Sequence, residues 1–203
     1  MYFLSSVKMK NVPNILSTLR IILAPVFLYL YLQVDLFWSA ISIVIFTIAA
    51  ITDFFDGHIA RKHEIETPLG VFLDPLADKF LTFSAFIVLP FVDEQQFPWW
   101  AIIVIIFRDI FITSLRIFAR RRKMDMKTRF IAKTKTTVQM VFLYIALLVG
   151  VFAGHDVWLG HIADSILSTN SMLYLMLFVT ALTAYSGLEY VVVNRGLFVK
   201  SRV

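Results

Sequence analysis

Cysteine is absent from the 203 residues, which removes disulfide frameworks, zinc-thiolate sites and cysteine nucleophiles together. Charge is scarce as well, since Asp, Glu, Lys and Arg make up only 16% of the chain. The 7 glycines and 6 prolines gather into no linker-like tract, and no internal repeat or low-complexity segment divides the sequence. What fills the chain is apolar: 59% hydrophobic residues and a mean hydropathy of +0.79, outside the range of soluble globular proteins. Site chemistry must therefore come from carboxylates, amines and hydroxyls, and the natural solvent is a bilayer.

Six apolar segments can be drawn at roughly 16 to 34, 37 to 60, 71 to 92, 97 to 118, 134 to 155 and 171 to 195, each near the ~20 residues a bilayer demands. Only the last two contain a long charge-free run, Thr136 to His155 and Ser165 to Leu188. The others reach spanning length by including ionised side chains, a first sign of a polar cavity. Lys and Arg are missing from three of the loops, which carry Asp35, Asp93, Glu94, Asp156 and Asp164 instead. Lys8 and Lys10, Arg61 and Lys62, the cluster from Arg120 to Lys135, and Arg195, Lys200 and Arg202 occupy the other side. By the positive-inside rule the expectation is an all-α integral membrane protein of six transmembrane helices, a single domain over 1–203, with both termini cytoplasmic. The cell membrane is its expected location.

Two misreadings are set aside. The basic start and apolar core of the first segment resemble a secretory signal, but no A-x-A-like cleavage site follows, so the segment reads as a retained anchor. The basic run Arg120 to Arg129 suits a cytoplasmic loop facing anionic lipid, and no nucleic-acid partner is expected.

The informative residues are the carboxylates inside apolar segments, because an ionised acid in hydrocarbon persists only beside a partner, a cavity or an ion. Asp53, Asp56, Gly57 and Ala60 stand at i, i+3, i+4 and i+7, on one helical face with small residues beside the acids. Asp74 and Asp78 stand at i, i+4. Both pairs belong to cytoplasmic helix ends joined by a short loop, so the four carboxylates can converge. Pairing with Arg61, Lys62 and Lys79 would account for one or two acids, not for four. Convergent carboxylates repel unless cations neutralise them, and all-oxygen ligation selects Mg²⁺, Mn²⁺ or Ca²⁺. Two such ions suit phosphoryl transfer. Gly57 and Ala60 leave room for substrate to approach the backbone, and Arg61 offers a planar donor fork to phosphate oxygens. His58 and His63 beside these acids read as ordinary polar residues near the interface.

The run Asp53-x2-Asp56-Gly57-x2-Ala60-Arg61-x8-Gly70-x3-Asp74-x3-Asp78 resembles the CDP-alcohol phosphotransferase signature at all eight fixed positions. The resemblance implies a six-helix membrane fold, usually homodimeric, that moves a substituted phosphate from a CDP-linked donor to an alcohol and releases CMP. It implies that Asp53, Asp56 and Asp74, helped by Asp78, hold two divalent cations, Mg²⁺ or Mn²⁺, and that Asp78 deprotonates the acceptor hydroxyl. Gly57, Ala60 and Gly70 would line the cytidine pocket, with Asp53 and Arg61 also on the donor, CDP-diacylglycerol.

Basic residues inside the later segments speak to the acceptor. Asp109, Thr113 and Arg116 share a face at i, i+4 and i+7, with Arg108 adjacent, and Lys135 and Gln139 lie one turn apart. Arg and Lys at such depth can host a phosphate dianion, so Arg108, Arg116, Lys133, Lys135 and Gln139 are expected to bind glycerol 3-phosphate. The bland account is that Lys133 and Lys135 snorkel and that Arg108 pairs with Asp109. The stretches Arg108-Asp109-x6-Arg116 and Lys133-x-Lys135-Thr136-x2-Gln139, with the opening Asn11-Val12-Pro13-Asn14-x5-Arg20, are similar to the bacterial, glycerol-3-phosphate-using branch of the same family. Pro13 is also simply a favourable helix start. Acceptors to weigh against glycerol 3-phosphate are phosphatidylglycerol, inositol phosphate and serine, and a non-enzymatic rival is a divalent-cation carrier. The loop from Gly154 to Asn170 and Glu189 receive no role.

Overall fold

A computed structural model describes the backbone of residues 18–33, 35–63, 70–122 and 130–199, and side chains within 18–33, 35–52, 79–119, 122 and 134–195. Among the described residues every regular element is a helix. In chain order they are α1 (Thr18–Tyr31), α2 (Leu36–His63), α3 (Gly70–Val92), α4 (Trp99–Arg121), α5 (Phe130–Phe152), α6 (Trp158–Ser168) and α7 (Ser171–Val199). Each of the six apolar segments coincides with a helix, and α6 is an addition within the stretch read as a loop. Among the described residues two helices are long and apolar enough to cross a membrane, over Thr134–Phe152 and Ser171–Arg195. Each holds most of one charge-free run; the second run begins earlier, at Ser165 in α6.

The chain divides into two compact units, one through Val88 and one from Leu89 onward. In the first, Asp35 starts α2: its carboxylate accepts from the amides of Phe37 (2.8 Å) and Trp38 (3.3 Å), which satisfies orphan donors of the first turn. Ser39 then ties the preceding turn by donating to the carbonyl of Gln33 at 2.8 Å. Phe27 of α1 packs on Phe46 of α2 with ring centroids 5.2 Å apart, and Ala24, Tyr31 and Ala49 are buried around them. Arg20, on the same helix, is fully buried.

In the second unit α7 packs against both α4 and α5. Three polar contacts keep step along α4 and α7, Gln96 with Leu173, Arg108 with Ser186 and Arg116 with Tyr190, so these helices run parallel. Asp109 meets Lys135 while Phe97 meets Phe142 at 6.3 Å between ring centroids, so α4 and α5 run in opposite directions. Gln96 locks the far end: its Nε2 donates to the carbonyls of Leu167 (2.9 Å) and Thr169 (3.0 Å), and its Oε1 accepts from the amide of Leu173 at 3.0 Å. Past α5 the chain turns at Gly154, whose φ of 73° suits glycine and whose amide donates to Asp164 at 2.9 Å.

The second unit exposes large apolar side chains and buries a polar stripe within a largely apolar core. On α7, Phe178, Tyr185, Leu188 and Val192 are exposed, whereas Thr180, Thr183, Ser186, Tyr190 and Asn194 are buried. On α4, Ile103, Phe107, Ile110 and Phe111 point outward while Asp109 is buried. Contiguous exposed apolar faces of this kind mark a surface that meets something other than water.

Candidate functional site

The buried polar residues of α4, α5 and α7 form one constellation. Asp109 of α4 is its hub. Its Oδ1 accepts from Lys135 Nζ of α5 at 2.5 Å and from the guanidinium of Arg108 at 3.0 Å. Side-chain exposure is 2% for Asp109 and Lys135 and 13% for Arg108. The second guanidinium nitrogen of Arg108 donates to Ser186 Oγ of α7 at 2.9 Å, and that hydroxyl donates in turn to the carbonyl of Thr183 at 2.8 Å. Gly187 lets Arg108 lie across α7, because a Cβ there would stand 2.9 Å from Arg108 Cγ and 3.3 Å from its Nε.

Two basic side chains share one carboxylate in a low-dielectric interior. Buried basic side chains of this kind can host an anionic group. Three polar atoms at this place have no hydrogen-bond partner: Arg108 Nε, Gln139 Oε1 and Thr183 Oγ1. Buried polar groups are ordinarily paired, so a donor, an acceptor and a hydroxyl able to be either all await a ligand. Two turns along α4, Arg116 is exposed and lies over the ring of Tyr190, 5.1 Å from its centroid, with Nε donating to the phenolic oxygen at 3.3 Å. Cation–π contact and hydrogen bond together hold it at the margin of the cluster.

Of the residues expected to bind the acceptor, Arg108 and Lys135 meet through Asp109, Gln139 is buried one turn from Lys135, and Arg116 sits apart on Tyr190. The side chain of Lys133 lies outside the described residues. The pairing of Arg108 with Asp109 is present, but it does not exhaust the cluster, since Lys135 shares that carboxylate. Missing from the sequence reading is the contribution of α7. Thr183, Ser186, Gly187 and Tyr190 fall at i, i+3, i+4 and i+7, a polar and small stripe in an apolar helix that could have been noticed.

For the acidic signature the structure gives the backbone alone. Asp53, Asp56, Gly57, Ala60 and Arg61 lie on the continuous α2, and Gly70, Asp74 and Asp78 on α3, so the helical spacings i, i+3 and i, i+4 hold. The side chains of these residues lie outside the described ones. Among the described side chains no group of three or more His, Asp or Glu could hold a metal ion.

The sequence matches the CDP-alcohol phosphatidyltransferase family over residues 10–179. It is 36% identical over 141 residues to a protein of Cereibacter sphaeroides, covering 68% of this chain and 63% of that protein. The chain thus spans less than two thirds of that relative's length. A protein of Salmonella typhimurium is 38% identical over 138 residues, 66% of this chain and 74% of its own, and one of Rickettsia typhi is 34% identical over 179 residues, 88% and 95%. All three bear the name CDP-diacylglycerol–glycerol-3-phosphate 3-phosphatidyltransferase. No solved structure matches the chain.

Proposed function

The chain belongs to the CDP-alcohol phosphatidyltransferase family, and on that premise we propose that it transfers the phosphatidyl group of CDP-diacylglycerol to glycerol 3-phosphate, giving phosphatidylglycerol phosphate and CMP. The observation that carries the choice of acceptor is the buried Arg108–Asp109–Lys135 cluster, two basic side chains on one carboxylate, with Arg108 Nε unpartnered. A phosphorylated alcohol offers these basic groups anionic oxygens to bind, which an uncharged alcohol does not. The names of the three relatives support the same donor and acceptor.

In the proposed reaction the free primary hydroxyl of glycerol 3-phosphate attacks the lipid-side phosphorus of CDP-diacylglycerol. A new P–O bond forms, the diphosphate P–O bond breaks, and CMP leaves. Asp78 takes the hydroxyl proton. Arg61, Asp53, Gly57, Ala60 and Gly70 hold the donor head group, while Arg108, Lys135 and Gln139, with Arg116 and Lys133 at the margin, hold the acceptor. The donor set of Asp53, Asp56, Asp74 and Asp78, all carboxylates on helical backbone, fits two hard cations, Mg²⁺ or Mn²⁺. Bound there, such ions supply charge neutralisation for the diphosphate.

The exposed apolar faces of α4 and α7 support a bilayer as the solvent, with the acyl chains of the donor staying in it. Six spans with both termini and the site on the cytoplasmic side follow from loop charge. The four tryptophans support that topology: Trp38, Trp99, Trp100 and Trp158 all stand in the first turn of α2, α4 or α6, ends predicted to face outward, where interfacial aromatics collect. The family match crosses the boundary between the two compact units, which supports one functional domain. Homodimerisation is proposed from the family resemblance.

The test is CMP release by the purified protein from CDP-diacylglycerol with Mg²⁺ or Mn²⁺ and a panel of alcohols. Release with glycerol 3-phosphate, lost on chelation and restored by either ion, is the expected result. Release with serine, inositol phosphate or phosphatidylglycerol but not glycerol 3-phosphate overturns the assignment, and metal uptake into proteoliposomes without CMP release would make the protein a cation carrier.

A further inference from the structure

Gln139 and Thr183 occupy equivalent depths on facing helices. From Lys135 the chain of α5 advances one turn to Gln139, and from Ser186 the chain of α7 goes back one turn to Thr183. Because α5 runs against α4 and α7 runs with it, these steps lead in the same direction, away from Arg116 and Tyr190. Below the layer of charge therefore lies a second layer holding an amide oxygen and a hydroxyl, on residues 3% and 0% exposed, neither with a hydrogen-bond partner. An amide oxygen only accepts, so its missing partner is an O–H or N–H donor. A phosphate dianion has none to give. The two layers thus ask for different parts of one ligand, an anionic group above and a hydroxyl below.

We propose that Gln139 and Thr183 bind the non-reacting, secondary hydroxyl of glycerol 3-phosphate and so set the enzyme's preference for a phosphorylated polyol over a phosphorylated simple alcohol. This rests on the acceptor assignment above. The hydroxyl donates to Gln139 Oε1 and accepts from Thr183 Oγ1, satisfying both buried atoms at once. Sites built to pair with a substrate hydroxyl discriminate strongly against analogues lacking it, because the protein's own polar groups then stay unpaired. Ser186 and Gly187, on the same face of α7, are positioning residues: they seat Arg108 above this pair.

The experiment compares glycerol 3-phosphate with 3-hydroxypropyl phosphate, which keeps the primary hydroxyl and the phosphate but lacks the secondary hydroxyl. Wild-type protein is expected to favour glycerol 3-phosphate in kcat/KM by about 10-fold or more. Thr183→Val and Gln139→Leu should each lower kcat/KM for glycerol 3-phosphate by about 5- to 15-fold while leaving that for the analogue within about 2-fold, and Thr183→Ser should restore the preference. Equal losses with both acceptors, or a wild type indifferent between them, overturn the proposal and reduce the pair to helix packing. A wild type that releases no CMP with either acceptor instead overturns the acceptor assignment, a separately recognisable result. Should Thr183→Val not fold, the wild-type comparison and Thr183→Ser decide alone.

Discussion

Lys135 Nζ and Asp109 Oδ1 lie 2.5 Å apart with both side chains 2% exposed, a salt bridge between α4 and α5 whose carboxylate also holds Arg108. Such a bridge is weak evidence for stability in itself, but breaking it from one side leaves uncompensated charge in the interior. Asp109→Asn should therefore destabilise the protein by about 3–5 kcal/mol, read by circular dichroism melting in detergent. Adding Lys135→Met should recover part of the loss, because one of the two stranded cations is then gone. A double variant less stable than the single one would refute the account.

Lys135→Met and Arg108→Lys are expected to raise KM for glycerol 3-phosphate by about 10-fold or more, leaving KM for CDP-diacylglycerol unchanged. Lysine replaces arginine poorly here because one planar fork serves Asp109, Ser186 and the unpartnered Nε position together. Steady-state kinetics with each substrate varied in turn checks this. Inorganic phosphate should compete with glycerol 3-phosphate and not with the donor.

Gly187→Ala introduces a Cβ 2.9 Å from the stem of Arg108. Overpacking of that size costs about 1–3 kcal/mol and pushes the guanidinium from Ser186. The expected outcome is a raised KM for glycerol 3-phosphate with a modest fall in melting temperature. A variant with normal kinetics would show that Arg108 has room to move.

Gln96 provides the contrasting case. Its three hydrogen bonds join the turn before α4 to the start of α7, at the end of the unit away from Arg116. Gln96→Leu strands two carbonyls and an amide, so a loss of about 2 kcal/mol or more is expected. Both KM values should stay as they were. A kinetic effect as large as that of Lys135→Met would mean that this clamp also shapes the site.

Much of this arrangement was legible beforehand. Apolar content and length drew six segments that all coincide with helices, and the two charge-free runs lie largely in the two helices apolar enough to cross a membrane. Lys135 and Gln139 stood out because they sit one turn apart at the start of an apolar run. What sequence could not show was which cation Asp109 would take: adjacency offered Arg108, while Lys135 is 26 residues further on and meets it only through helix packing. The α7 contribution was hidden for another reason. Thr183, Ser186 and Gly187 bear no charge, and in an apolar helix uncharged small residues look like ordinary packing until an arginine is found lying across them. Short α6 escaped because 11 residues between two spans look like a loop.

On the proposed acceptor assignment, Arg108 and Arg116, two turns apart on one helix, would divide the work of capture between them. Arg116 is exposed at the margin, held over Tyr190, where its charge would act on an anion still in water. Arg108 is fixed by Asp109 and Ser186 and meets only an anion already desolvated. Charges at a rim govern arrival, and buried paired charges govern departure. The rate at which acceptor is captured should accordingly fall as ionic strength rises, whereas its residence time, set in a layer that salt screens poorly, should hold nearly constant.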